Sequence, residues 1–244
     1  TMPELPAAKY GDDDIDPGAT ASSGLTVTYA SSDTTVAVIV DGKIRVTGTG
    51  TASITASQGG NQDYEAAPDI NKTLTVEKAD LTFRADDKER EYLEGNPVLT
   101  YTVTGFVMDE DETVLNELPA ITVEATTDSP AGSYTISVSG GSDNNYNYLY
   151  LPGTLTITKL NQIITMPDLP AAKYGDADID PGATASSGLT ITYSSDNPNV
   201  AAIVDGKIRV TGAGTASITA SQEGNQNYEA APDVSETLTV NKAD

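Results

Sequence analysis

Residues 1–80 and 165–244 are one sequence written twice, at an offset of 164, with no gap and 16 differences, among them Glu4/Asp168, Asp13/Ala177 and Thr34/Pro198. Self-similarity at so long a fixed period means an array of beads, each burying a core of its own. Both copies end in Lys-Ala-Asp (78–80 and 242–244), and a different segment lies between them. The order is therefore A-B-A, with beads expected at 1–80, 81–160 and 161–244. Residues 161–164 read NQII, the opening half of a strand that has no counterpart ahead of Thr1. The chain thus reads as a segment of a longer B-A-B-A array whose first bead lacks that half-strand.

The two bead types echo each other. KYGDDDID (9–16) corresponds to EYLEGNPV (91–98), and GNQDYEAAPDINKTLTV (60–76) to DNNYNYLYLPGTLTIT (143–158). Each places a tyrosine after an Asn-rich turn and closes on a Thr-Leu-Thr strand, which predicts one topology with two decorations. Alternation of period two runs throughout: Leu25-Val27-Tyr29, Ile44-Val46, Ala52-Ile54-Ala56 and Leu74-Val76 in A, and Leu99-Tyr101-Val103, Tyr134-Ile136-Val138 and Leu155-Ile157 in B. Asp41-Gly42 between VAVIV and KIRVTG marks a tight hairpin. No helical period is visible. About seven short strands per bead, with turns every 8–12 residues, predict an all-β chain of tandem Ig-like β-sandwiches. The joints VEKADLTF and TITKLNQIIT contain neither Gly nor Pro, so the expected arrangement is an elongated rod of roughly 100 Å.

Residues 1–80 and 161–244 resemble bacterial Ig-like repeats, through SSGLTVTYASSD, VDGKIRVTGTGTASITASQ and the closing TLTV. Residues 81–159 resemble the MBG repeat of the YGX type, through NPVLTYTVTGF, SPAGSYTISVSGG and YLPGTLTITK. The Tyr-Gly of that family is Tyr92-Leu93 here, which predicts a turn of different shape. The resemblance implies a large repetitive surface adhesin of the Bacteroidota type, secreted to the extracellular side or the bacterial cell surface. It implies no particular ligand.

Composition narrows the chemistry. The chain has no His and no Cys, which removes the usual general base and thiolate nucleophiles together. Any metal site must be built from oxygen ligands, which favours calcium. A net charge of −23 argues against nucleic acid, and no apolar run is long enough for membrane insertion as a helix. Asp86-Asp87 have the residue types of a glycosidase pair, but neighbours in a strand face opposite ways. No enzyme is expected.

The stretch 11–24, GDDDIDPGATASSG, returns at 175–188 as GDADIDPGATASSG. Asp12, Asp14 and Asp16, with Asp176, Asp178 and Asp180, have the alternate spacing of loop calcium (Ca2+) sites. The same residues also suit a turn, because Asp bonds its own backbone. In an end-to-end string this loop should approach the next bead, near Asp80, Asp111 and the turn at Asp143. Carboxylates gathered there would raise one another's pKa unless a cation bridged them. Calcium, if bound, should therefore favour the A-to-B joint. Tyr64, Tyr146, Tyr148, Tyr150 and Tyr228 are candidates for stacking on sugars or for packing. Lys9 and Lys173 are candidates for an isopeptide bond or for plain solvation. The functional expectation is a stalk, spacer or fibre-forming segment whose partners are neighbouring repeats. The alternative is a multivalent module for a glycan, mucin or protein of a host or the environment.

Overall fold

A computed structural model describes residues 1–244, and the chain is all-β, with one short 3-10 turn at Glu112–Val114. In the first A bead a four-stranded sheet runs in the order Ala8–Lys9, Ala67–Glu77, Gly50–Gln58, Thr28–Ser31. A hairpin, Ala37–Val40 with Lys43–Val46, forms a separate two-stranded sheet. Its turn is Asp41-Gly42, both with positive φ (50° and 75°), the geometry that matches strand twist in a two-residue hairpin. Alternation places Ile44, Val46, Ala52, Ile54, Leu74 and Val76 in the core while Thr and Ser between them stay outside. The strand expected around Leu25–Tyr29 lies at Thr28–Ser31, and Leu25, Val27 and Tyr29 are half-buried. The second A bead repeats this plan, with Ala172–Lys173, Val234–Asn241, Gly214–Ser221 and Thr192–Ser195 in one sheet.

The chain forms two compact units. One contains Thr1–Asp87, Val98–Glu124 and Thr135–Thr154; the other contains Lys88–Pro97, Ala125–Tyr134 and Leu155–Asp244. Residues 81–160 thus contribute to both units, and each bead joint lies inside a single unit. In the first unit Ala79–Ala85 pairs parallel with Tyr146–Leu151 and antiparallel with Tyr101–Thr104, burying Leu81 and Phe83. In the second, residues 155–158 pair parallel with Lys88–Glu91, with Leu155 and Ile157 buried. Buried Arg90 there bonds the carbonyl oxygens of Glu91 and Thr126 and Oδ1 of Asn96.

Candidate functional site

The first joint starts from the turn that both bead types share. The Asp12 amide donates to the Lys9 carbonyl (3.1 Å), closing a β-turn with Gly11 at φ +92°. Asp12 Oδ2 accepts from the Lys9 amide at 2.7 Å and braces the turn. Tyr10 projects from it onto the middle bead, edge-on to Tyr146 (centroids 5.5 Å apart, planes at 89°). Both phenols donate to one carboxylate: Tyr10 to Glu110 Oε1 at 2.7 Å, Tyr146 to Oε2 at 2.5 Å. Burial and Glu110 push the Tyr10 pKa up to about 12 and raise that of Tyr146 further. A Cβ on Gly11 would stand 2.5 Å from the Val107 side chain, so only glycine permits this approach.

An Asx turn sets Tyr146 in place. Asp143 Oδ1 accepts from the amides of Asn145 (2.7 Å) and Tyr146 (3.1 Å). Asn145 then reaches back to the A bead, its Oδ1 accepting from the Thr49 amide at 3.1 Å. Its carbonyl takes the Ala79 amide at 3.0 Å, while Thr49 Oγ1 donates to the Asn144 carbonyl and Lys78 Nζ to that of Asp143 (2.7 Å each).

The second joint is built on the same skeleton. Glu91-Tyr92-Leu93-Glu94 repeats the turn, with the Glu94 amide donating to the Glu91 carbonyl (3.2 Å) and Glu94 Oε2 accepting from the Glu91 amide (3.0 Å). Leu93 has φ +69°, so the departure from Tyr-Gly leaves the chain path unchanged and puts a branched residue in left-handed backbone. Tyr92 lies edge-on to Tyr228 at 5.7 Å and 83°. Asn225 supplies the Asx turn, and Asn227 Oδ1 accepts from the Ala131 amide at 3.0 Å. The Asn227 carbonyl accepts from the Leu160 amide at 2.9 Å. Tyrosine to tyrosine and asparagine to backbone amide, the two joints match.

The sequence did not reveal this pairing. The signal that carries it is the Asx turn followed two and three residues later by Asn-Tyr, at 143–146 and 225–228. It returns at 61–64 as Asn-Gln-Asp-Tyr, where Asn61 bonds the amides of Asp63 and Tyr64 but Tyr64 is exposed. The other two candidates for stacking lie in the middle bead: Tyr148 sits 4.7 Å from Phe83, and Tyr150 lies beyond it at 6.2 Å.

The acidic stretch does approach the middle bead, where Asp12, Asp13 and Asp14 line a shallow depression with Met108. Its carboxylates, however, are not brought together. Asp14 forms a two-pronged pair with Arg45 (2.8 and 2.7 Å), and Asp16 caps the Gly18 amide at 2.9 Å. In the second copy Asp176 braces its turn, Asp178 pairs with Arg209 and Asp180 caps Gly182. Asp80 meets Lys9 Nζ (3.4 Å) and Asn147 Nδ2 (3.3 Å), and Asp111 caps the 3-10 turn through Thr113. Hydrogen bonding to Arg45 lowers the Asp14 pKa, that to Arg209 lowers Asp178, and the Thr113 bonds lower Asp111. These directions are opposite to those of crowded carboxylates. No three acidic side chains are placed to hold one metal ion together. The donors therefore do not fit calcium, which takes six to eight oxygens. Lys9 and Lys173 stand in exposed ion pairs with Asp80 and Asp244. Asp86 accepts from Thr102 Oγ1 and Asp87 from the Thr154 amide, two separate structural roles.

Residues 81–156 match the family model of the MBG domain (YGX type). No curated protein matches the chain. Among solved structures, Drosophila N-cadherin EC1-3 is 13% identical over 98% of this chain and 99% of that one, with a TM-score of 0.29. Protocadherin gammaB7 EC3-6 is 11% identical over 98% and 76% (TM-score 0.30). The surface layer protein SbsC, domains 1-6, is 16% identical over 100% and 41% (TM-score 0.25). Scores this low assign neither a shared arrangement nor a shared activity.

Proposed function

We propose that this chain is a structural repeat segment of a bacterial cell-surface protein, in which two bead types alternate and lock to each other to carry a distal region outward. The observation that supports this reading is the recurrence of one joint at both bead boundaries, with an edge-on tyrosine pair and an asparagine bonded to the preceding bead. A chain selected to hold neighbours in register needs that recurrence; a chain selected for a ligand would instead concentrate distinctive groups in one cleft. No helix is long and apolar enough to cross a membrane. Replacing Tyr10 and Tyr92 together by alanine should speed proteolysis within residues 78–81 and 159–161 while the beads stay folded. Unchanged cleavage would count against locked joints as the working part. A glycan array probed with the chain should give no specific signal, and a specific one would favour the multivalent binding module.

A further inference from the structure

The two bead types differ in how their first and last stretches are tied together. In the middle bead residues 79–91 run parallel to residues 146–158. Ala79–Ala85 pairs with Tyr146–Leu151 over six positions, and Lys88–Glu91 with 155–158 over four. Partners stand 67 residues apart in both ladders, and in the interval between them the Thr154 amide donates to Asp87 Oδ1 at 2.7 Å. Backbone bonds close both ends, from the Ala79 amide to the Asn145 carbonyl (3.0 Å) and from the Tyr92 amide to that of Thr158 (2.9 Å). Gly153 permits the close approach, since a Cβ there would stand 2.7 Å from the Ala85 carbonyl oxygen. The second A bead has the same parallel track but fills only its ends. Leu160 bridges Tyr228, and Ala172-Lys173 pair with Val240-Asn241. Between them Ile164–Thr165 pairs antiparallel with Thr184–Ala185 instead. The residues that would face the gap begin Glu-Ala-Ala-Pro-Asp (229–233), which are poor strand formers, and Pro232 has no amide hydrogen to donate. The first A bead, whose last strand continues into residues 78–81, repeats the two-position pair, Ala8 with Val76 and Lys9 with Glu77.

We infer that the chain is a graded tether: under tension the A beads unfold first and lengthen it, while the middle bead stays folded. When the ends of a bead are drawn apart, parallel first and last stretches slide past each other, so every bond of the ladder is strained at once. Ten positions resist in the middle bead and two in the corresponding A-bead pair. The antiparallel pair at Ile164–Thr165 peels bond by bond and adds little. Each A bead of about 80 residues would release roughly 25 nm of chain and so limit the tension on whatever the segment joins. This inference rests on the reading of the chain as a structural segment that carries a distal region outward.

The test is single-molecule stretching of the full chain held at its two ends. Two steps of roughly 25 nm are expected at low force and a third at about twice that force or more, because forced unfolding follows the unfolding barrier. The chain has no cysteine, so an engineered pair assigns each step. Glu89 and Thr156 are exposed register partners. Glu89→Cys with Thr156→Cys, once oxidised, closes a loop that holds most of the middle bead. The high-force step should then vanish and return on reduction. Lys173→Cys with Asn241→Cys, exposed partners in the second A bead, should remove one low-force step in the same way. Three steps at one force, or a high-force step that survives oxidation of the Glu89→Cys, Thr156→Cys chain, would overturn the inference. Either result leaves the structural-segment reading standing, because that reading is decided by cleavage at the joints.

Discussion

The two joints share a skeleton and differ in what surrounds it. At the first, Tyr146 is 2% exposed and Tyr10 6%, and Glu110 ties their hydroxyls together. At the second, Tyr92 and Tyr228 are half-buried, and no carboxylate joins them. The second copy of Tyr10, Tyr174, is 54% exposed, although the turn that carries it is identical in sequence. The common part sets register; the glutamate and the glycine contact with Val107 add strength to one joint only.

The largest expected difference is in truncation. Tyr146→Ala should destabilise the first unit by about 3 kcal/mol, and Tyr228→Ala the second by about 1.5 kcal/mol, in urea unfolding. Equal losses would remove the distinction between the joints. Next comes the hydroxyl: Tyr10→Phe removes a bond to a charged group and should cost about 1.5 kcal/mol, whereas Tyr92→Phe should stay within about 0.5 kcal/mol of the parent. The same contrast appears with pH. The folded Tyr10 pKa of about 12 lies above the ordinary 10.0, so folding favours the neutral phenol. Its stabilisation is complete below the ordinary value and is lost as pH rises through about 12. Alkaline melts should show less of this loss in Tyr10→Phe than in the parent, the remainder coming from Tyr146 and Tyr148, whose pKa values are also raised.

Smaller in size, Leu93→Gly should stabilise the second unit by about 0.5–1 kcal/mol, since glycine relieves the left-handed strain that Leu93 bears. A loss instead would mean that the Leu93 side chain supports the joint. Calcium should have the least effect, leaving the melting midpoint of the chain unchanged. A rise that Asp14→Ala removes would restore the aspartate stretch as a cation site at the first joint.

Much of the fold was legible because it depends on local rules. Alternation exposed the core positions Ile44, Ile54 and Leu74, and Asp41-Gly42 fixed the hairpin. The echo between KYGDD and EYLEG announced a shared turn, which survives even the exchange of Gly11 for Leu93. The meeting of residues 12–16 with the region of Asp111 and the turn at Asp143 was legible, but the tyrosine pairing was not, because its partners are distant: Tyr10 finds Tyr146 and Glu110, and Glu110 is hidden in an acidic run. The aspartates are ambiguous in sequence for a related reason. Their spacing suggests a common ligand, but Asp14 is drawn to Arg45 on the hairpin, 31 residues away, while Asp12 and Asp16 bond backbone within three residues.

The central claim is that Tyr10 and Tyr146 hold the first two beads to each other. A double-mutant cycle on Tyr10→Ala and Tyr146→Ala, read by urea unfolding of the first unit, tests it most directly. The account predicts a coupling of about 1 kcal/mol or more between the two substitutions. Additive losses, with coupling near zero, would contradict it.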